Sequence, residues 1–292
     1  MKKQKKFLDQ KIAIVYRPDT KEALTTALKL AQWLKEKGIS VYTQPHQKIK
    51  SISKPLTSEK IIDALSAVIV LGGDGTYLSA VRMLDGRQVP ILGVNMGSLG
   101  FLTNIRMNDL YHAVIYTLEG KMELQPRSML SLTVKGKGRK NLNVTLLNDI
   151  TIERGSYSQM IAVDFHLEKF LVCKIKADGV VIATPTGSTA YNLAAGGPII
   201  HPETSCLVVT PVSPHSLTSR PLIFSDDKVL TFRITAPSEN AIITGDGRTI
   251  CRISPDDEVS IKQHDKAHYV VHHLTQNYFD LLREKLKFGE RA

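Results

Sequence analysis

Three glycines surround one acid at residues 72–75, in the stretch VIVLGGDGTYLSA, where one apolar run ends and a second apolar pattern begins. Glycines at a strand-to-helix junction let a backbone come close to phosphate. Asp74 does not suit a plain anion cradle, because its charge would repel the ligand, so the turn points to chemistry that uses a carboxylate. The stock phosphate motifs are absent: there is no GxxxxGK[ST], and GxGxxG spacing begun at Gly73 puts Leu78 where the third glycine belongs. A second glycine-rich turn, GVNMGSLGFL at 93–102, follows the next apolar run and also lacks that spacing.

The densest chemistry lies in DGVVIATPTGSTAYNLAAGGPIIHP at 178–202. The strand-like VVIAT runs into hydroxyl side chains, Thr184, Thr186, Ser188 and Thr189, and then into a short helical piece, TAYNLAA. Ser188 is expected as its N-cap and Gly196 as its C′ residue. Free N–H groups at its start, with Thr189 beside them, would suit an anion or a carbonyl oxygen, and Tyr191 adds a ring face or a phenol. Taken singly, the threonines are turn residues of a β domain, and Asp178-Gly179 reads as a hairpin turn. Other signals carry less. His264, His268 and His272 are spaced by four, but EVSIKQ and YVVHHL around them read as two strands with a turn at HDKA, which makes them surface histidines. GxSxG is absent, so a Ser-His-Asp hydrolase has no support.

These turns must be held by regular elements. From 11 to about 107 the pattern alternates: IAIVY, a helix over 21–37 stopped by Gly38, ISVYT, a helix around 57–66, AVIVL, a helix from about 76, and VPILGVN. Strands separated by helices predict a parallel, Rossmann-like α/β sheet, whose ligands sit beyond the carboxyl ends of the strands, where GGDG falls. From about 125 to 270 the texture changes to short β runs divided by Gly, Pro, Asn and Asp, which predicts a β-rich carboxyl-terminal domain. Residues 277–286 return to helical spacing. The expected division is an α/β domain at 1–115, a β-rich domain at 116–272 and a last segment, 273–292, packing back on the first domain, with the active site in the crevice between the domains.

Composition narrows the function classes. The 292 residues are 42% hydrophobic and 23% charged, the mix of a folded globular chain rather than a disordered one. No apolar run approaches membrane-span length, and the apolar run at 12–16 is too short for a signal-peptide core. Cys173, Cys206 and Cys251 are widely spaced and form no CxxC pair, which suggests neither disulfides nor a zinc knuckle and predicts a cytoplasmic protein. The net charge of +10 comes from dispersed lysines, a tail at 2–6 and a loop at 135–140, with no interleaved aromatic residues, so a nucleic-acid partner is not expected.

Taken together, GGDGT at 72–76, NMGSLGFL at 95–102, LND at 147–149, DGVVIATPTGSTAY at 178–191, AGGPI at 195–199 and PHSLTSRPL at 214–222 resemble the NAD kinase family, in family order. GGDG is shared with phosphofructokinases and diacylglycerol-type lipid kinases; TPTGSTAY is far more specific. The resemblance implies transfer of the ATP γ-phosphoryl group to the 2′-hydroxyl of the adenosine ribose of NAD. It gives Asp74 the catalytic role: a carboxylate within about 3 Å of that poorly acidic hydroxyl orients it and takes its proton. A magnesium-type ion would offset the repulsion between carboxylate and phosphate. Two alternatives stand beside it, a lipid or sugar kinase sharing only GGDG and a dinucleotide-binding regulator without catalysis.

Carried over by residue, the resemblance implies contacts to nucleotide from Asp74, Gly75, Asn148, Asp149, Lys176, Asp178, Thr189, Ala190, Tyr191, Asn192, Leu193, Ala194 and Arg248, with Phe101 suited to packing on adenine. Two positions depart from the family pattern. Asp149 stands where Glu is more usual and reaches about one methylene less far. Arg248, in TGDGR, stands where Gln often follows the glycine and adds charge. The family also implies a homo-oligomer, commonly a tetramer built from dimers, in which a neighbouring β domain completes the dinucleotide site.

Overall fold

The computed structural model describes residues 9–155, 159–235, 241–272 and 277–287; the basic tail at 2–6 lies outside them. The chain divides into two units, Met1–Pro126 with His268–Ala292, and Arg127–Ala267.

The first unit is built on a sheet in the order Lys54–Pro55, Ser40–Thr43, Lys11–Tyr16, Ala67–Gly72, Ile91–Asn95, His268–His272, Glu123–Arg127, with Ile105–Arg106 also paired to Ile91–Asn95. From Lys54–Pro55 through to His268–His272 the neighbours run parallel. The central strands are buried on both faces, all six residues of Ala67–Gly72 and all five of Ile91–Asn95, which is why they read as unbroken apolar runs. The helix Lys21–Glu36 lays Ala23, Ala27, Leu30, Ala31 and Leu34 into the core, each large side chain contributing about 1.5–3 kcal/mol. Strand order reverses beside Lys11–Tyr16: the chain moves outward to Ser40–Thr43 and then crosses back to Ala67–Gly72 on the other side. Gly72 and Asp74 emerge from the carboxyl end of that returning strand, at the switch point where open α/β sheets bind ligands.

The helix Asp74–Leu84 begins at the acid itself, two residues before the expected start, with Gly73 as its cap. A helix not anticipated from the sequence, Leu110–Leu118, covers the sheet with Leu110, Ala113 and Val114. The last helix, Tyr278–Leu286, belongs to this unit; a capping box of Asn277 and Asp280 starts it, and Leu281 and Leu282 are buried.

The second unit is two six-stranded sheets. One runs Leu222–Ser225, Cys206–Val212, Gly179–Ala183, Asp149–Arg154, Ala241–Gly245, Arg248–Ile253; the other Phe170–Ala177, Ile161–Leu167, Leu230–Ile234, Glu258–Gln263, Leu130–Lys135, Leu142–Leu146. Every pairing is antiparallel. Alternate residues of both sheets share one core, centred on the stacked rings of Phe165 and Phe232 (centroids 4.8 Å apart). The outer face of Gly179–Ala183 is covered too: Val181 and Ala183 pack with Ile200 and Cys206.

Three expectations are corrected. The divisions fall at Pro126/Arg127 and Ala267/His268, not at 115 and 272, because Glu123–Arg127 and His268–His272 join the sheet of the first unit. The strands flanking HDKA therefore belong to different sheets, and His268 and His272 are buried, 1% and 5% exposed, rather than on the surface. Asp178 is not in a hairpin: Phe170–Ala177 and Gly179–Ala183 lie in opposite sheets, and the chain crosses from one to the other at this residue. The chain makes the same kind of crossing at 147–148, between Leu142–Leu146 and Asp149–Arg154.

Candidate active site

In the first unit the Asp74 carboxylate is received by the loop that follows Ile91–Asn95. Its Oδ1 accepts the N–H groups of Leu102 and Thr103, both at 3.1 Å, and the Thr103 hydroxyl at 3.0 Å; its Oδ2 accepts the N–H of Phe101 at 2.9 Å. A carboxylate has about four acceptor positions, so Oδ1 is saturated and Oδ2 keeps one. Asn95 shapes the loop, accepting the Gly97 N–H at 2.6 Å and donating to the Ser98 carbonyl at 2.5 Å and the Thr103 hydroxyl at 3.2 Å. Gly100 is required by packing, since a Cβ there would meet Asp74 Oδ1 at 2.0 Å. Gly73 and Gly75 are different: a Cβ at either would meet nothing within 4 Å, so the fold leaves open space on both sides of the acid.

In the second unit three turns interlock. The Thr184 N–H donates to the Asn148 carbonyl at 2.9 Å, its hydroxyl donates to the Leu147 carbonyl at 2.7 Å, and that same hydroxyl accepts the Gly187 N–H at 3.0 Å. From the other side, the Asp246 carboxylate accepts the N–H groups of Leu147, Asn148 and Asp149 at 3.0, 2.7 and 3.4 Å. With the backbone of Asn148 thus engaged, its side-chain Oδ1 is buried without a hydrogen-bond partner, as is the Thr186 hydroxyl. Buried amide oxygens rarely go unsatisfied, so these atoms call for a ligand or a water.

Asp149 is 6% exposed, and burial, then the nearby charge of Asp246, then that of Glu153, push its carboxyl from 3.8 to about 7, against a downward pull from the Tyr191 N–H that it accepts. Burial also raises Glu153. The Tyr191 phenol is raised by burial and by Glu153, Asp149 and Asp178. Beside this group a cavity of about 380 Å³ is lined by Glu153, Arg154, Asp178, Tyr191, Val212 and Ile242, and Asp178 pairs with Arg154 at 2.9 Å.

Family models match the chain over both units: the ATP-NAD kinase N-terminal domain over residues 12–122 and the ATP-NAD kinase C-terminal domain over 147–273. The chain belongs to the NAD kinase family. An NAD kinase of Bdellovibrio bacteriovorus is 52% identical over 280 residues, 96% of this chain and 92% of that one. A crystal structure of yeast NADH kinase complexed with NADH shares the fold at a TM-score of 0.90 and 24% identity, covering 97% of this chain and 89% of that chain. An NAD kinase from Archaeoglobus fulgidus in complex with ATP does so at 0.75 and 24%, covering 94% and 99%.

The residues expected from the family pattern fall into three groups. Asn148, Asp178 and Ala190 lie in connections of one unit, Thr189 in its 3₁₀ turn, Tyr191, Leu193 and Ala194 in its short helix and Asp149 at the start of one of its strands, while Lys176 and Arg248 are exposed strand residues of it. Asp74, Gly75 and Phe101 lie together in the other unit, where the Phe101 ring faces Tyr278 (centroids 6.4 Å apart) and the Lys285 ammonium 5.8 Å away. Asn192 stands apart: it is fully buried, its amide donates to the carbonyls of Ser188 and Pro198, and its oxygen accepts the Thr210 hydroxyl at 2.7 Å, so its side chain serves the turn.

The helical piece is also shorter than expected. A 3₁₀ turn spans Thr186–Thr189, and the α-helix covers only Tyr191–Ala194, capped by Ala190. Ser188 is not the N-cap, because its hydroxyl accepts the Ile200 N–H at 3.0 Å and donates to the Pro185 carbonyl at 2.6 Å. Thr189 turns its hydroxyl back to the Thr186 carbonyl at 3.3 Å, and Gly196 is the C′ residue, at φ +83°. Sequence reasoning passed over Thr103, and from the acidic turn TGDGR it carried over Arg248 rather than Asp246, although an acid before glycine there repeats the signature of GGDG.

Proposed function

We propose that this protein is an NAD kinase, transferring the γ-phosphoryl group of ATP to the 2′-hydroxyl of the adenosine ribose of NAD and releasing ADP and NADP. The observation that carries the reading is the Asp74 carboxylate, with one acceptor position left on Oδ2 and open space at positions 73 and 75. In this reading Oδ2 accepts a hydrogen bond from the ribose hydroxyl and takes its proton as the oxygen–phosphorus bond forms and the bond to the ADP oxygen breaks. Loop 101–103 keeps the acid aimed without occupying that position. The space beside Gly73 and Gly75 admits the phosphates.

Asn148, through its unpartnered Oδ1, together with Asp149, Lys176, Asp178, Tyr191 and Arg248 and the backbone of 189–194, binds the dinucleotide in this reading, and Phe101 packs on adenine. Among the described residues no group of three His, Cys, Asp or Glu side chains is placed to cage a metal. A magnesium ion carried in on the ATP phosphates would offset the repulsion between the Asp74 carboxylate and the transferred phosphoryl group.

Assembly into a homo-oligomer and a cytoplasmic location belong to the same reading. Exposed Phe170 and Leu171 on one edge strand, and Leu222 and Ile223 on another, support the first; the free thiols of Cys173, Cys206 and Cys251 support the second. Among the described residues no helix is long and apolar enough to cross a membrane. A lipid or sugar kinase sharing only GGDG is not favoured, since the family match runs through both units, and an intact Asp74 speaks against a regulator without catalysis.

The test is NADP formation by the purified protein with ATP, Mg²⁺ and NAD, beside an Asp74→Asn variant. Turnover in the variant should fall by about two to four powers of ten with near-wild-type NAD binding, as removal of a general base does. Equal turnover in the two proteins would overturn the assignment of Asp74.

A further inference from the structure

We propose that Asp246 is a positioning residue for the dinucleotide: its carboxylate sets the crossover at 147–149 so that Asn148 and Asp149 meet the substrate. The proposal rests on the NAD kinase reading and adds to it a residue that touches no substrate.

Asp246 and Gly247 form the two-residue turn between Ala241–Gly245 and Arg248–Ile253, with φ of +46° and +73°. Asn-Gly and Asp-Gly both suit such a turn, so the backbone alone does not demand an acid. An acid that only made the turn would sit in solvent. This one is 6% exposed and spans three consecutive N–H groups a hundred residues away in sequence, the shortest at 2.7 Å to Asn148. A second bond fixes the register from the opposite direction, the Asp246 N–H donating to the Asp149 carbonyl at 3.1 Å.

The segment needs such a brace. Leu142–Leu146 and Asp149–Arg154 belong to opposite sheets, so at 147–148 the chain leaves one ladder before it joins the other, and its N–H groups have no strand partner. Only an anion offers acceptors enough for all three. Asparagine would keep one acceptor oxygen and turn an NH₂ donor toward an N–H donor. Thr184 holds the Asn148 carbonyl from the other side, so both backbone groups of Asn148 are fixed and its side chain alone is left to a ligand. Asp74 is held by the same device, three successive N–H groups of 101–103; there the clamp aims the acid, whereas at Asp246 the acid aims the clamped backbone.

Asp246→Asn separates the two roles, because asparagine preserves the turn. The expected result is a Michaelis constant for NAD raised about tenfold or more, with that for ATP within about twofold, since sub-ångström misplacement of binding groups is costly. Asn148→Ala combined with Asp246→Asn should raise the NAD constant by less than the product of the two single effects, because the two residues act as one unit. An unchanged NAD constant in Asp246→Asn, or a fully multiplicative double variant, would overturn the proposal. Should Asp246→Asn fail to fold, Asp246→Ser, which keeps one acceptor oxygen, is read in the same way. Failure of both to fold overturns it in favour of a purely structural acid. A wild-type protein that makes no NADP would instead sink the kinase reading itself.

Discussion

Gly187 lies so close to Asn148 that a Cβ at position 187 would meet the Asn148 carbonyl oxygen at 2.0 Å and its Cα at 2.7 Å. The obstruction is backbone, held in place by Thr184, and cannot swing aside as a side chain can. Gly187→Ala should therefore lose about 3 kcal/mol or more of stability, at the upper end for overpacking, and weaken NAD binding in whatever fraction folds. Urea unfolding and NAD titration of the variant measure both.

Gly75→Ala should behave in the opposite way. The position is the second residue of the helix Asp74–Leu84, and a Cβ there meets nothing within 4 Å. Alanine in a helix is favoured over glycine by about 0.5–1 kcal/mol, so the variant should melt at or slightly above the wild-type temperature. Its turnover should nonetheless fall, because the methyl group enters the space proposed for the phosphates. A variant that is both as stable and as active as wild type would count against that use of the space.

The raised carboxyl of Asp149 gives a pH signature. Burial, Asp246 and Glu153 lift it from 3.8 to about 7, while the Tyr191 N–H pulls the other way, so the folded chain keeps a proton that the unfolded chain has released by about pH 4. The associated stability is complete below that pH and is lost as pH rises through about 7. Wild-type protein should be more stable to urea at pH 5 than at pH 8, by up to about 3 kcal/mol from this residue, and Asp149→Asn should flatten the difference. Equal slopes in the two proteins would contradict the assignment.

Much of this was legible in the sequence, for identifiable reasons. Strands such as AVIVL are buried on both faces and so declare a parallel sheet without help from neighbours. Asp74 is conspicuous because glycines flank it where an anion is otherwise unwelcome. What stayed hidden depends on partners distant in sequence. YVVHH resembles the return strand of a hairpin until its pairing with Ile91–Asn95 is seen. Ser188 suits an N-cap in sequence, but Ile200, twelve residues on, claims its hydroxyl. Nothing near Asp246 reveals that its acceptors are spent on residues 147–149.

The strand His268–His272 lies inside the first sheet, between Ile91–Asn95 and Glu123–Arg127, yet it follows the whole of Arg127–Ala267 along the chain. During synthesis, Ile91–Asn95 and Glu123–Arg127 leave the ribosome more than a hundred residues before the strand that joins them into one sheet. The sandwich, contiguous in the gene, can finish first, and the unit bearing Asp74 closes last. Truncation before residue 268 should take from Glu123–Arg127 its neighbour in the sheet and uncover backbone groups of Ile91–Asn95.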